Sequence, residues 1–184
     1  MTDARPPALS AARALRYQDA MRAPTPPFLL VLLLWATGLA AAGQFGKIAT
    51  VFDLAATIWP GASKVMLGLM VSSVGFAGIA LGATAGMVVQ RAGYRRMLVW
   101  ALVGGAILSA GQAVLPPLPV MLALRLAEGV SHLVIVVVAP TLIAQIAPPA
   151  RQGVAMTLWS SFFAVSFAVI CLLRQGGVPA HRTG

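Results

Sequence analysis

Charge is scarce in this sequence of 184 residues: only 9% are Asp, Glu, Lys or Arg. A soluble domain carries roughly a quarter charged residues, so water cannot be the solvent for most of this chain's surface. That shortage excludes a soluble globular enzyme. The 59% hydrophobic content excludes a disordered chain. Cysteine is nearly missing as well. Cys171 stands alone in an apolar run, which rules out an intrachain disulfide and any zinc-type spacing. Catalytic constellations are also lacking. Ser131-His132 has no nucleophile elbow or orienting acid beside it, and Gly61-Ala62-Ser63-Lys64 is too short for a phosphate loop. No enzymatic activity, cofactor or metal is expected.

Apolar runs are what the sequence has in plenty. A hydrophobic stretch of 18 or more residues with few charges reads as a transmembrane helix, and five such stretches alternate with short breaks. The expected fold is an all-α membrane protein with helices near 28–54, 64–89, 97–114, 120–146 and 154–173. The lead, residues 1–27, is polar and proline-punctuated. Its Ala8 to Arg22 stretch is either a weakly amphipathic surface helix or a mobile tail. Residues 174–184 are small and polar and cannot span a bilayer. Trp59-Pro60-Gly61-Ala62-Ser63 predicts a turn with Ser63 as N-cap. Pro140 predicts a kink late in the fourth helix. Gly78, Gly82 and Gly86 recur every fourth residue, a line that lets a neighbouring backbone approach closely.

The 13 basic residues against 4 acidic ones sit in short loops rather than one patch, so a bilayer and not nucleic acid is the expected partner. Arg5, Arg13, Arg16, Arg22, Arg91, Arg95, Arg96 and Arg151 fall on one side of the five-span arrangement. Lys47, Lys64, Arg174 and Arg182 fall on the other. The positive-inside rule then puts the amino terminus in the cytoplasm, in a cell (inner) membrane protein.

One loop carries a resemblance. Gly86-Met87-Val88-Val89-Gln90-Arg91-Ala92-Gly93-Tyr94-Arg95-Arg96 resembles the signature loop of the major facilitator superfamily, which lies between the second and third helices. Gly86, Arg91, Gly93, Arg95 and Arg96 match, and Gln90 stands where Asp is usual. The resemblance implies that this loop helps latch two halves of a transporter together, with the acid's charge missing here. Arg125-Leu126-Ala127-Glu128-Gly129 resembles the family's fourth-helix motif, with Glu128 where Gln is common. The fifth helix lacks the Gly-Pro pattern of the family's drug antiporters. Family members usually have twelve helices in two halves, with the substrate between them. Five helices therefore read as the amino-terminal part of such a transporter, apparently truncated. It would move an unidentified small solute, driven by an ion gradient, together with a second half or as a homo-oligomer. The alternatives are a small non-transport membrane subunit and an inactive fragment.

Charges inside the bilayer are the candidate site. A charged side chain at the centre of a helix costs about 2.5–3.5 kcal/mol on insertion scales and usually faces a cavity or a partner. Arg125, Glu128 and His132 share one face of the fourth helix. Arg125 lies about 9 Å below the outer surface, and His132 is near mid-membrane. They form either a relay lining a cavity, or an Arg125–Glu128 pair with His132 bonded to a neighbouring helix. Gln44 and Lys47 share a face of the first helix at similar depth. Lys47 either meets Glu128 or a substrate carboxylate, or snorkels to the headgroups. Asp53 is expected in solvent, and Trp35, Trp100 and Trp159 are expected to pack or to anchor at the interface.

Overall fold

The computed structural model describes residues 27–49 and 52–177. The Ala8–Arg22 stretch, the arginines of the lead and Arg182 lie outside the described residues. The chain folds into helices α1 (Pro27–Ala49), α2 (Phe52–Ile58), α3 (Lys64–Ala92), α4 (Tyr94–Ala113) and α5 (Leu118–Ile146). A 3₁₀ turn (Pro149–Arg151) leads into α6 (Gln152–Ser160) and α7 (Phe162–Gly177). Five segments are long and apolar enough to cross a membrane: Phe28–Ala49, Lys64–Ala92, Tyr94–Ala113, Leu118–Ile146 and Pro149–Leu173. Among the described residues there is no strand. The protein is an all-α, multi-pass membrane protein.

Each span begins where the local chemistry requires. Pro27 opens α1, where a missing N–H costs nothing. Ser63 caps α3 by accepting a hydrogen bond from the Met66 N–H at 3.2 Å, as its position predicts. Gly93 joins α3 to α4 at φ +90°, a conformation that disfavours any side chain. Its N–H closes α3 by donating to the Val89 carbonyl at 2.9 Å. Prolines 117 and 119 occupy the start of α5.

Several boundaries differ from the sequence reading. The expected break between 89 and 97 shrinks to Gly93, with α3 running to Ala92 and α4 starting at Tyr94. The first apolar run does not continue as one helix to residue 54. Twenty-three helical residues already rise about 34 Å, enough for the hydrocarbon core. The remaining apolar residues fold separately as α2, whose Ala55 is buried against Ile48, Leu67, Met70 and Met121 at the end of the bundle. The Trp59 indole N–H donates to the Pro116 carbonyl at 3.3 Å and ties that corner down. The last span is broken at Ser161, whose hydroxyl donates to the Leu158 carbonyl at 2.7 Å. Such local hydroxyl bonds compete with the helix ladder. Helix α7 then continues to Gly177, past the expected end at 173.

Helix α5 is the centre of the bundle, packed against α1, α3 and α4. Its Ile135 and Val138 are wholly buried with Ala41, Val89, Leu98 and Ala101. Close approach is made by Gly129: a Cβ there would lie 2.5 Å from the Val74 backbone carbonyl oxygen. The expected line of Gly78, Gly82 and Gly86 is not used this way. Each has open space where a Cβ would stand, because α3 turns its Met70, Val74 and Ala77 face to α5 instead.

Candidate functional site

Two helices, α1 and α5, bring ionisable side chains together in the core of the bundle. Arg125 and Glu128 are one turn apart on α5, and both are completely buried. Arg125 Nη1 donates to Glu128 Oε2 at 2.7 Å and to the Gln44 carbonyl of α1 at 2.6 Å. Its Nε donates to the Met70 carbonyl of α3 at 3.1 Å. One guanidinium thus crosslinks α1, α3 and α5, which its rigid fork of donors suits. Lys47 of α1 reaches the same carboxylate, with Nζ 2.6 Å from Glu128 Oε1. Its side chain is 29% exposed, against 0% for Glu128.

Helix α4 completes the set with residues that the sequence reading missed. The Ser109 hydroxyl donates to Glu128 Oε1 at 2.6 Å and accepts from Lys47 Nζ at 2.6 Å. Gln112 Nε2 donates to Glu128 Oε2 at 2.9 Å. Ser109 and Gln112 are three residues apart on a helix that is otherwise apolar after Arg96, and that spacing was the available signal. Glu128 therefore holds four donors, from two other helices and its own. Burying a charged group is costly unless it is paired and hydrogen-bonded, and these donors supply both.

The sequence-derived candidates separate on this geometry. Arg125, Glu128 and Lys47 meet directly, and Gln44 joins them through its backbone carbonyl. Lys47 does not snorkel away from the cluster. His132 lies off it: Nδ1 is 2.9 Å from the Ala41 carbonyl oxygen, and its ring lies 5.9 Å from that of Phe45. Three buried polar atoms, Gln44 Oε1, Gln112 Oε1 and Arg125 Nη2, lack partners among the described residues. Neither Arg125 nor Glu128 is open to a cavity. Lys47 is the member that offers exposure.

The signature loop stands at the opposite end of the bundle from Lys64 and α2. Gln90, Arg91, Arg95 and Arg96 are exposed, Gly86 is half-buried, and Gly93 makes the turn. Among the described residues, no group of three or more His, Cys, Asp or Glu could hold a metal.

A bundle of membrane-length helices, knitted by a largely buried cation–anion–cation set, defines an integral membrane protein. The sequence model of the Major Facilitator Superfamily matches residues 28–174, and the chain belongs to that family. Comparison with curated proteins and with solved structures returned no match. Membership assigns a transporter-type function in general and argues against an enzyme.

Proposed function

We propose that this chain forms the amino-terminal part of a secondary transporter that moves a small solute, coupled to an ion gradient. It would sit in the cell (inner) membrane with its amino terminus in the cytoplasm. The observation that carries this reading is the Lys47–Glu128–Arg125 set: three ionisable groups on two helices, with Lys47 partly open. Intramembrane charge is expensive and marks substrate or ion pathways. Lys47 is the group placed to meet a solute or an ion, and Glu128 is the counter-charge that a proton would neutralise. Arg125 holds α1, α3 and α5 in register around them. Alternating access needs a second bundle to move against. Further sequence, a second polypeptide or a second copy of this chain would supply it.

The test is water access. In a background carrying Cys171→Ala, Lys47→Cys should react with a membrane-impermeant thiol reagent, while Glu128→Cys should react far more slowly. Complete protection of position 47 from both sides of the membrane would sink the pathway reading.

One observation favours a second reading, a purely structural cluster: the carboxylate of Glu128 is fully engaged by four donors. The triple variant Lys47→Met, Arg125→Met, Glu128→Met separates the two. Replacing a whole buried ionic set by apolar residues is often neutral or stabilising by about 1–4 kcal/mol, so the fold should survive. Solute-driven proton flux in proteoliposomes should be lost on the transport reading. Flux that persists in the triple variant, in any preparation where the parent shows it, would assign the cluster to structure alone.

A further inference from the structure

The signature-loop end of the bundle carries a feature that transport does not explain. An open groove of about 860 Å³ runs between the start of α4 and the end of α5, with Tyr94, Arg95, Arg96, Val99, Trp100 and Leu142 along it. Arg95 and Arg96 stand at its rim, in the first turn of α4. Val99 and Trp100 come four residues later, about 6 Å further along the helix axis. Both are exposed, Val99 at 53% and Trp100 at 68%. Leu142 lies one turn before the end of α5, so its depth matches theirs. The groove therefore grades from guanidinium at the membrane face to indole and aliphatic wall inside it. A phospholipid has the same order: phosphate first, glycerol and acyl chain below. Trp also favours that interfacial level.

Charge decides which phospholipid. Arg91, Arg95, Arg96 and Arg151 are all exposed at this end. None of their guanidinium groups makes a hydrogen bond or ion pair with another described residue. The described acids are Asp53, at the opposite end of the bundle, and Glu128, enclosed by its own donors. Position 90, on the last turn of α3, is a neutral glutamine. No described carboxylate answers these arginines. Gly93, with no side chain, leaves the amino end of α4 without a side-chain cap, and the helix dipole adds to the positive field there.

We infer that this groove binds one anionic phospholipid, its headgroup phosphate held by Arg95 and Arg96 and its first acyl segment lying along Val99, Trp100 and Leu142. Guanidinium forks suit a phosphate oxygen pair, and basic pockets between transmembrane helices recognise anionic headgroups.

The test uses the full chain, purified in neutral detergent, stripped of lipid, and titrated with phosphatidylglycerol or phosphatidylcholine under native mass spectrometry. Phosphatidylglycerol should be retained and phosphatidylcholine should not. At about 1 kcal/mol per basic residue near an anionic headgroup, Arg95→Gln with Arg96→Gln should weaken retention about thirtyfold. Arg151→Gln removes a charge at the same end that does not line the groove, and should leave retention within twofold. Trp100→Ser keeps every charge and should still weaken retention severalfold, which covers the case in which the arginine variant fails to fold. Inorganic phosphate at equal concentration should not displace the lipid. Equal loss in Arg151→Gln would show diffuse attraction instead of a site and overturn the inference. So would unchanged retention in Trp100→Ser, equal retention of phosphatidylcholine, or full displacement by phosphate.

Discussion

At the residue scale, this protein concentrates its specificity in a few positions where apolar packing would have been simpler. Glu128 is the clearest. It sits one turn from Arg125, and a lone Arg–Glu pair at that spacing would suffice for local satisfaction. Instead it also gathers Lys47, Ser109 and Gln112 from two other helices. Gly129, its neighbour, lets α5 approach the backbone of α3, where Arg125 also bonds the Met70 carbonyl. A Cβ at 129 would fall 2.5 Å from the Val74 oxygen, which is backbone and cannot turn aside. We expect Gly129→Ala to destabilise the bundle by about 1–3 kcal/mol, the usual cost of overpacking. Gly82→Ala, with open space around its Cβ, should be neutral or slightly stabilising, since alanine favours the helix. Unfolding midpoints of the two variants in one detergent measure the difference. Equal midpoints would mean that α3 and α5 are not packed as described.

At the scale of elements, α1 is shared between two partners with different chemistry. One face meets α5 through the charge set. Another meets α6 and α7 through aromatic packing and single hydrogen bonds. The Trp35 indole N–H donates to the Ser161 hydroxyl at 3.2 Å, and the Ser166 hydroxyl donates to the Leu39 carbonyl at 3.2 Å. Gly38 faces Trp159 and Phe162, where a Cβ would come within 2.8 Å of the Trp159 ring. Lipid tails are as apolar as leucine, so helices associate in a bilayer through such close contacts and hydrogen bonds. Gly38→Leu should therefore loosen α6 and α7 selectively. Hydrogen exchange should rise in 152–173 and stay unchanged in α3–α5. A uniform rise across all spans would contradict this division of the bundle.

The element scale also shows how much the sequence could say. Spans were legible because each is a continuous apolar run with local stop signals, such as the Trp59–Ser63 turn with Ser63 as its cap. The meeting of Lys47 with Glu128 was within reach because both sit at similar depth and opposite charges in lipid must find one another. Ser109 and Gln112 were not found, because their role depends on how α4 is rotated about its axis. The glycine line at 78, 82 and 86 misled for the same reason: periodicity marks a face but not what that face meets. The break at Ser161 was invisible because serine also sits within unbroken helices, as Ser73 does in α3 and Ser109 in α4.

At the scale of the whole molecule, basic residues polarise the described bundle. Arg91, Arg95, Arg96 and Arg151 lie at one end, while Lys64 and Asp53 lie at the other. Chain direction alternates through α1, α3, α4 and α5, which brings the α3–α4 turn and the 3₁₀ turn to the same face. The positive-inside rule makes that face cytoplasmic. In membranes from a Cys171→Ala background, Arg151→Cys should react with an impermeant thiol reagent from the cytoplasmic side only. Ser63→Cys should react from the opposite side only. Labelling in the reverse sense would invert the proposed orientation and move the lipid groove to the other leaflet.

What the sequence determined by itself was the solvent, the number of spans, their turns and the family. These follow from composition, run length and short motifs, all of which are local along the chain. Only the tertiary structure decided which glycines carry close contacts, which polar residues close around Glu128, and that His132 turns to the Ala41 carbonyl. The reason is geometric. A helix offers every face to its surroundings, and its rotation and height against its neighbours are fixed jointly by all the contacts it makes, which no single segment encodes.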